Sequence, residues 1–304
     1  MPTMKIKKHL RPAFTLLELL VVVAIIGTLM ALTAAAIFRL KNASLETRTN
    51  ETLSKLQGGF DLQYKSAVDL IRKEPIPDVT LFWAGGDADL AKAIHMKLRL
   101  RQEFPQTSTD LQTPASITGN ANVDTALKTL YAPKLFFTKY PALAGAPYGD
   151  PDSNAALLML VLSQARGGSS FSPDQIGTNA LGNVTVGGTS FKAFVDGYGN
   201  RIMFYRQFPV DRKTTTDAQA LTLMNELNAP PYVSATAITG KMDAIDPTGK
   251  LTAWANRSQL ESWLGIPCDG DNRGPFAVSA GMNEAFGDGD DLYSFRLKGT
   301  GKAN

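Results

Sequence analysis

The chain has 304 residues, of which 31 are basic and 28 acidic, so its formal charge is only +3. Four of the basic residues precede position 12, and without them 27 basic residues face 28 acidic ones, a charge of −1: Lys5, Lys7, Lys8 and Arg11. A chain this close to neutral gives little support for a nucleic-acid-binding surface. The single cysteine, Cys268, excludes an internal disulfide and is interpreted as a packed small residue rather than a nucleophile.

An apolar run follows the basic segment and contains one charge. It extends over 25 residues from Phe14 to Phe38, and Glu18 is its only charged residue. Such a helix rises about 37 Å, whereas the hydrocarbon core of a bilayer is about 30 Å thick. The run is therefore predicted to span a membrane, with a cytoplasmic N-terminus because the positive charges precede it. A carboxylate at mid-bilayer costs roughly 3 kcal/mol and somewhat less near a boundary, so Glu18 is expected to have a partner.

The start of this run carries a known motif. Residues 14–20 read Phe-Thr-Leu-Leu-Glu-Leu-Leu, and after a short basic leader this resembles the N-terminus of type IV prepilins and type II secretion pseudopilins. The resemblance implies that a prepilin peptidase cuts between Ala13 and Phe14, removes the leader peptide 1–13 and methylates the amino group of Phe14. The chain departs from the family in having Ala13 where glycine is usual, and no proline near Ala35.

The resemblance also implies a partner for Glu18. Cleavage would create a positive amino group at Phe14, roughly 6 Å along the helix axis from Glu18. In a filament, Glu18 of one subunit would meet the Phe14 amine of its neighbour and fix the axial stagger between parallel helices. Such a pair is worth more at low dielectric than at a surface, although desolvation offsets much of the gain. The alternative is that Glu18 lies at the headgroup boundary near the positive end of the helix dipole.

An ordinary secretory signal is the alternative interpretation of the whole N-terminal segment. The basic leader, the apolar run and the small residues 34–36 fit its pattern, but the run is longer than usual and would contain a carboxylate. The two interpretations predict different mature N-termini, Phe14 and Ile37. Mass spectrometry of the N-terminal peptide distinguishes them.

The helix is predicted to continue beyond the membrane, because no proline follows until Pro75. Apolar residues at spacings of three and four mark one face: Leu53, Leu56, Phe60, Tyr64, Ala67 and Ile71. Gly58 and Gly59 indicate a bend or a tight contact. The helix would be close to 90 Å long, with residues 14–38 in lipid and residues 39–73 as the spine of a soluble domain.

The rest of the chain divides into a helical and a β-rich part. Apolar spacing predicts helices within a helical insertion, residues 74–182: 87–104, 123–131 and 154–166. β-Branched and aromatic residues then predict strands in a β-rich part, residues 183–304: 184–186, 191–195 and 202–208. Two further helices are expected at 216–227 and 256–264. The predicted fold class is α+β and pilin-like, with the long N-terminal helix packed on a small antiparallel β-sheet.

Two features of the β-rich part resemble pseudopilins. The turn 196–200 is similar to their Asp-x-(aromatic)-Gly-Asn segment, although any glycine-rich hairpin would look similar. A strand at 276–281, an acidic loop and a closing strand at 292–297 resemble the calcium-binding loop of major pseudopilins. That resemblance implies a structural calcium ion, held chiefly by two carboxylates and then by two further side chains: Asp290 and Asp291, then Asp288 and Asn283. A solvated acidic turn is the alternative.

The sequence offers little catalytic machinery. His95 is the only histidine after the leader, and its basic helical surroundings predict a surface or partly packed residue. No G-x-S-x-G, H-E-x-x-H or phosphate-binding loop occurs. The chain is therefore predicted to be no enzyme and to bind no organic cofactor, with a membrane-anchored exported enzyme as a remote alternative.

The predicted function is that of a structural subunit of a pseudopilus, assembled from the inner membrane to drive type II protein secretion. The resemblance implies as partners other pilin-like subunits, the prepilin peptidase, inner-membrane lipid and an assembly platform with a separate ATPase, but no nucleic acid. The soluble part would be periplasmic. The alternative is a type IV pilin or minor pilin that serves adhesion, motility or DNA uptake. The helical insertion 74–182 fits neither class cleanly.

Overall fold

A computed structural model describes most of the chain after the leader: residues 16–113, 116–168, 171–206, 245–265, 268, 274–286 and 291–294. The chain divides into two compact units, residues 1–45 and residues 46–304. The first helix, α1 (Leu16–Ile71), begins in the first unit and ends in the second. The boundaries 1–13, 14–38, 39–73, 74–182 and 183–304 remain predictions.

The second half of α1 is the spine of the second unit. Its predicted apolar face is confirmed, because the large side chains of that face are almost fully buried: Leu53, Leu56, Phe60 and Ile71. The helix ends two residues before the predicted position, and turns at Lys73 and Glu74 follow it before Pro75. The ring of Phe60 stacks on that of Phe204 with their centroids 5.7 Å apart, which ties α1 to the β-rich part.

Eight further α-helices follow in the described part of the chain, besides three short 3-10 helices: α2 (Asp78–Trp83), α3 (Ala88–Glu103), α4 (Ala121–Leu130), α5 (Leu135–Thr138), α6 (Pro141–Ala144), α7 (Pro151–Leu162), α8 (Lys250–Ala253) and α9 (Arg257–Leu264). Polar side chains cap three of them: Asp87 on α3, Asn120 on α4 and Asp150 on α7. The helices expected near 87–104, 123–131, 154–166 and 256–264 are thus confirmed to within a few residues, except that α7 ends at Leu162. The short helices α2, α5, α6 and α8 were not predicted.

The predicted α+β class, a long N-terminal helix with small antiparallel β-structure, is confirmed. Within the described residues five strands form two antiparallel sheets, whereas one small sheet was predicted. They are β1 (Leu181–Val186), β2 (Thr189–Phe194), β3 (Ile202–Tyr205), β4 (Phe276–Ser279) and β5 (Leu292–Tyr293). The first two strands pair with each other, and the other three form a sheet in the order β3-β4-β5. An isolated bridge between Val195 and Arg201, together with a hydrogen bond of 2.8 Å from the backbone N–H of Asp196 to the carbonyl of Asn200, pairs the two sides of the turn 196–200. The predicted helix 216–227 and the strand ends 207–208 and 295–297 lie outside the described residues.

Burial explains why β2 and β3 separate. Every residue of β3 and β4 is buried, so these strands need cover on both faces. Alternate residues of β3 face different cores: Phe204 packs with α1 and α7, whereas Tyr205 packs with the helical residues around Trp83 and Trp263. The hairpin β1–β2 keeps much of one face exposed and pairs with no other strand among the described residues.

Buried charges join α1, α3 and the residues after α7. The guanidinium of Arg166 donates from Nε to Glu103 Oε2 at 2.9 Å, and from Nη1 to Gln63 Oε1 at 3.1 Å and to the carbonyl of Val161 at 2.8 Å. Lys134 also contacts Glu103 Oε2 at 2.6 Å. Burial by itself would raise the pKa of Glu103, but Lys134 and Arg166 hold it below its ordinary value.

Candidate functional site: the N-terminal helix and the acidic loop

The first half of α1 is an exposed apolar surface. From Leu16 to Phe38 its large hydrophobic side chains are between 45% and 83% exposed. This helix is long and apolar enough to cross a membrane, and none of its most apolar stretch is buried in the structure. Apolar exposure on this scale is typical of a surface that another phase or another molecule covers. The helix is therefore suited to act as a membrane anchor.

The polar groups within this half of α1 are few. The hydroxyls of Thr28 and Thr33 donate to the carbonyls of Ile25 and Leu29, at 2.8 Å and 3.0 Å, so they need no water. Glu18 lies in the first turn of the described helix and is the only charged residue between Leu16 and Phe38. Its predicted role in assembly stays a prediction. The predicted processing residues, Ala13 and Phe14, lie outside the described residues.

The turn 196–200 is organised around a buried carboxylate. Oδ1 of Asp196 accepts hydrogen bonds from the backbone N–H groups of Tyr198 and Asn200, at 2.9 Å and 2.8 Å. Oδ2 accepts from the hydroxyl of Ser279 at 2.6 Å. Burial raises the pKa of Asp196, and these hydrogen bonds, led by that from Ser279, oppose the rise. The turn is therefore a fixed structure and not an open loop.

The same turn connects α1 to the C-terminal strands. The backbone N–H of Gly197 donates to the hydroxyl of Thr49 on α1 at 2.9 Å. On the other side, the amide of Asn200 donates to the carbonyl of Gly281 at 2.8 Å, directly after β4. The turn thus fixes the point at which the chain leaves β4 and enters the acidic loop. Sequence reasoning identified the turn but missed Thr49 and Ser279, since neither has a neighbour in sequence that marks it.

Hydrogen bonds also fix the C-terminal end of the acidic loop, at strand β5. After β5 the hydroxyl of Ser294 donates to Gln57 Oε1 on α1 at 2.5 Å, and it accepts from the backbone N–H of Ala277 at 2.8 Å. Asp291 precedes β5, is only 5% exposed, and its Oδ2 accepts from the hydroxyl of Tyr293 at 3.3 Å. The loop between Gly281 and Asp291 therefore closes between two fixed ends.

The predicted calcium ligands are only partly visible. Asp288 and Asp290 lie outside the described residues, so the structure does not place them beside Asp291. Asn283 is exposed, and its Oδ1 accepts a hydrogen bond from the backbone N–H of Ala285 at 2.8 Å. Within the described ranges, no three side chains among His, Cys, Asp and Glu are grouped so that they could hold a metal ion. The calcium site remains a prediction.

His95, which was expected to be a surface or partly packed residue, is almost fully buried. It is 4% exposed, and its Nδ1 lies 2.7 Å from the hydroxyl of Tyr131 while its Nε2 lies 3.2 Å from Glu74 Oε2. Burial lowers its pKa, and Glu74 opposes that effect. Arg99 also binds Glu74 with two hydrogen bonds of 2.8 Å. These hydrogen bonds hold the end of α1 against α3, so we interpret His95 as a structural residue.

Comparison with known protein families supports the N-terminal motif. Residues 11–34 match the family model described as the prokaryotic N-terminal methylation motif. The match includes the predicted cleavage point and Glu18. Neither a curated protein nor a solved structure matches the chain.

Proposed function

We propose that this chain, which carries the N-terminal methylation motif of pilin-like proteins, is a structural subunit of a pseudopilus that drives type II protein secretion. The observation that carries the proposal is the position of the motif. It covers residues 11–34, and the helix that begins there exposes an almost uncharged apolar surface from Leu16 to Phe38. A surface of this kind suits two successive environments, lipid before assembly and neighbouring helices after it. The motif supports a structural rather than a catalytic role.

The proposed partners follow from this role. The prepilin peptidase would process the chain, and other pilin-like subunits would surround α1 in the filament. The basic residues before the apolar run support a cytoplasmic N-terminus, so the apolar half of α1 would lie in the inner membrane and the unit 46–304 would be periplasmic. An assembly platform with a separate ATPase would supply the work of extraction from lipid.

Processing gives the first test of the proposal. In its own host, the mature chain is expected to begin with N-methylated Phe14, because the peptidase both cuts and methylates at this motif. Mass spectrometry of the N-terminal peptide measures this directly. A peptide that begins at Ile37 would instead indicate a secretory signal, and any start other than Phe14 contradicts the proposal.

The choice between a pseudopilus and a type IV pilus rests on the β-rich part. The Asp196 turn and the acidic loop that it fixes after Gly281 resemble pseudopilin features, which supports secretion. Deletion of the gene distinguishes the two systems. Loss of protein export is expected for a pseudopilus subunit, whereas normal export with loss of adhesion, motility or DNA uptake would identify a type IV pilin or minor pilin.

We further propose that the acidic loop binds a structural calcium ion. Asp291 is a carboxylate with little access to water, and Asp288 and Asp290 precede it within three residues. Oxygen ligands of this kind suit calcium, which would offset the repulsion among the three carboxylates. Asn283 is the weaker candidate because its side-chain oxygen already accepts from Ala285.

Removal of calcium is expected to lower the melting temperature of a fragment that begins at Glu46 by several degrees. Asp291→Ala should abolish this response to a chelator, whereas Asp174→Ala, which removes an exposed carboxylate elsewhere, should retain it. Calcium and not magnesium should restore the original melting temperature, because magnesium demands a smaller and more regular site. A melting curve that a chelator leaves unchanged would rule out the ion.

A further inference from the structure

The face of α1 that points away from the core carries an ordered stripe of six residues. They recur at alternating spacings of four and three, as in the contact seam of a coiled coil: Glu51, Lys55, Gly58, Leu62, Lys65 and Asp69. All six are exposed, on the side of the helix opposite Leu53, Leu56 and Phe60. Two charged residues lie at each end of the stripe, and an uncharged pair, Gly58 and Leu62, lies at its centre. We call this set the outward stripe.

Gly58 has no explanation within its own chain. A Cβ atom added at Gly58 would meet nothing within 4 Å, and its backbone is helical, so neither space nor conformation requires glycine. Its neighbour Gly59 differs, because a Cβ there would lie 2.8 Å from the ring of Phe171. Glycine is among the least favourable residues in a helix interior. A glycine of this kind is explained by another backbone or side chain that approaches from outside the chain.

The side chain of Leu62 in a second copy is suited to pack over Gly58. Leu62 is 47% exposed, and it follows Gly58 by four residues on the same face. A leucine of one helix packs readily over a glycine of another, because the missing side chain leaves a hole for the incoming one. Leu62 of one copy and Gly58 of the next would therefore match if two parallel copies were displaced by four residues.

The charges of the outward stripe select the same displacement. Two parallel copies in register would place Glu51 against Glu51 and Lys55 against Lys55, which is repulsive. Displaced by four residues, about 6 Å along the axis, Lys55 meets Glu51 of the second copy and Asp69 meets Lys65 of that copy. Within its own chain Lys55 contacts Glu51 at 2.8 Å and donates to the carbonyl of Ile176 at 3.2 Å, so docking would exchange the first of these contacts for Glu51 of the second copy. Among the described residues, neither Lys65 nor Asp69 makes a salt bridge.

The geometry also permits the contact to repeat. At about 100° per residue, Lys55 and Leu62 lie on one edge of the stripe, and Gly58 and Lys65 lie on the other. The contact therefore joins unlike edges, so each copy can receive one neighbour and offer itself to the next. A heterologous contact of this type builds an open filament rather than a closed dimer.

We propose that a second copy of this chain docks in parallel on the outward stripe, four residues out of register, with Leu62 of one copy seated on Gly58 of the next. This inference rests on the proposed function, since it requires a filament. The displacement of four residues is also the separation in sequence between Phe14 and Glu18, which the resemblance pairs between neighbouring subunits. The stripe would thus set the register of the filament outside the membrane.

Disulfide formation tests the displacement directly. Two differently tagged full-length chains, Gly58→Cys and Leu62→Cys, are expressed together in the host, each in a Cys268→Ala background. Oxidation of assembled filaments is expected to give at least about tenfold more mixed dimer than either same-residue dimer, because disulfides require Cα atoms within about 7 Å. The control pair, Ser54→Cys with Leu62→Cys, is displaced by eight residues and should give little mixed dimer.

A second variant separates assembly from folding. Gly58→Leu adds a good helix former at an open position, so it is expected to raise the melting temperature of the full chain by about 2–4 °C. The same side chain fills the hole that Leu62 of the neighbour requires, and filament yield should fall at least about tenfold. Ser54→Leu introduces the same side chain one turn earlier, at the margin of the stripe, and should leave the filament yield nearly unchanged.

The outcomes separate this inference from the proposed function. Normal filament yield in Gly58→Leu, or a dominant same-residue disulfide, overturns the outward stripe as an interface, while a mature N-terminus at Phe14 would still support the filament. If the natural chain forms no filament in a host that processes it, the proposed function fails and the inference fails with it. A mixed disulfide between positions 58 and 62, together with the loss of assembly in a well-folded Gly58→Leu, establishes it.

Discussion

Glu18→Ala is expected to lower incorporation into filaments strongly while membrane insertion remains intact. The reason is that Glu18 is the one charged group on the apolar half of α1, so only it can meet the positive amine that cleavage creates at Phe14. Insertion should even become easier, because a carboxylate costs roughly 3 kcal/mol at mid-bilayer and somewhat less near a boundary, where Glu18 lies. In the low dielectric among packed helices, loss of the pair should lower assembly by at least about tenfold.

Fractionation of the host measures both effects. Membrane insertion is followed by resistance to alkaline extraction, and assembly by the amount of chain in sheared filaments. Glu46→Ala is the matched control, because it removes a carboxylate from the same helix just beyond the apolar run and should assemble normally. Glu18→Gln keeps the size of the side chain and should fail like Glu18→Ala. Normal incorporation of either Glu18 variant contradicts the pairing role.

The long helix could be predicted from sequence because its signals are local. The absence of proline before Pro75 and the three-four spacing of Leu53, Leu56 and Phe60 depend on near neighbours alone. The exposed apolar half was equally clear, since no soluble helix needs so long an uncharged run. Most helices after α1 were found for the same reason, and their caps, such as Asp87 and Asn120, are short-range features.

The pairing of the strands could not be predicted in the same way. Asp196-Gly-Tyr-Gly-Asn200 was recognised as a turn. Nothing nearby in sequence shows that the strand after it, β3, pairs with β4 instead of β2, with Ile202 opposite Ser279. The pairing of β3 depends on which of its faces are buried, and two hydrophobic cores built from distant segments of the chain cover it. The contacts of His95 could not be predicted for the same reason, because its partners Glu74 and Tyr131 are 21 and 36 residues away.

Gly58 and Gly59 show the limit of a local pattern. The sequence indicates a bend or a close contact at the pair but does not separate its two members. Only the structure shows that Phe171 accounts for Gly59 and that the chain itself leaves Gly58 unexplained. The functional meaning of a residue can thus lie in a contact that a single copy does not contain.

Arg166→Met is expected to lower the free energy of unfolding of a fragment beginning at Glu46 by about 3–5 kcal/mol. Methionine keeps an aliphatic side chain in the space over the ring of Phe104, from which the guanidinium carbon lies 4.6 Å, so the loss reports on charge and hydrogen bonds. Glu103, Gln63 and the carbonyl of Val161 would each lose a buried donor. Urea denaturation followed by circular dichroism measures the change.

An exposed ion pair provides the control. Arg201 contacts Asp152 at 3.1 Å with both side chains about one-third exposed, so Arg201→Met should cost less than about 1 kcal/mol. Glu103→Gln combined with Arg166→Met should recover part of the loss, because it removes the buried carboxylate that Arg166 neutralised. Equal costs for Arg166→Met and Arg201→Met would contradict a buried role for Arg166.

The pH dependence of stability distinguishes loss of charge pairing from loss of packing. In the natural chain the pKa of Glu103 is lowered, so its contribution is present above the unfolded pKa of about 4.3 and is lost as the pH falls through the lower, folded pKa. In Arg166→Met, only Lys134 still opposes the effect of burial, so the folded pKa of Glu103 is higher than in the natural chain. Glu103 then contributes less to the free energy of unfolding, and acidification removes less of it. The difference in unfolding free energy between the two proteins should therefore shrink below about pH 4. A difference that stays constant with pH would show that Arg166 acts by packing, since the filling of space does not depend on the protonation of Glu103.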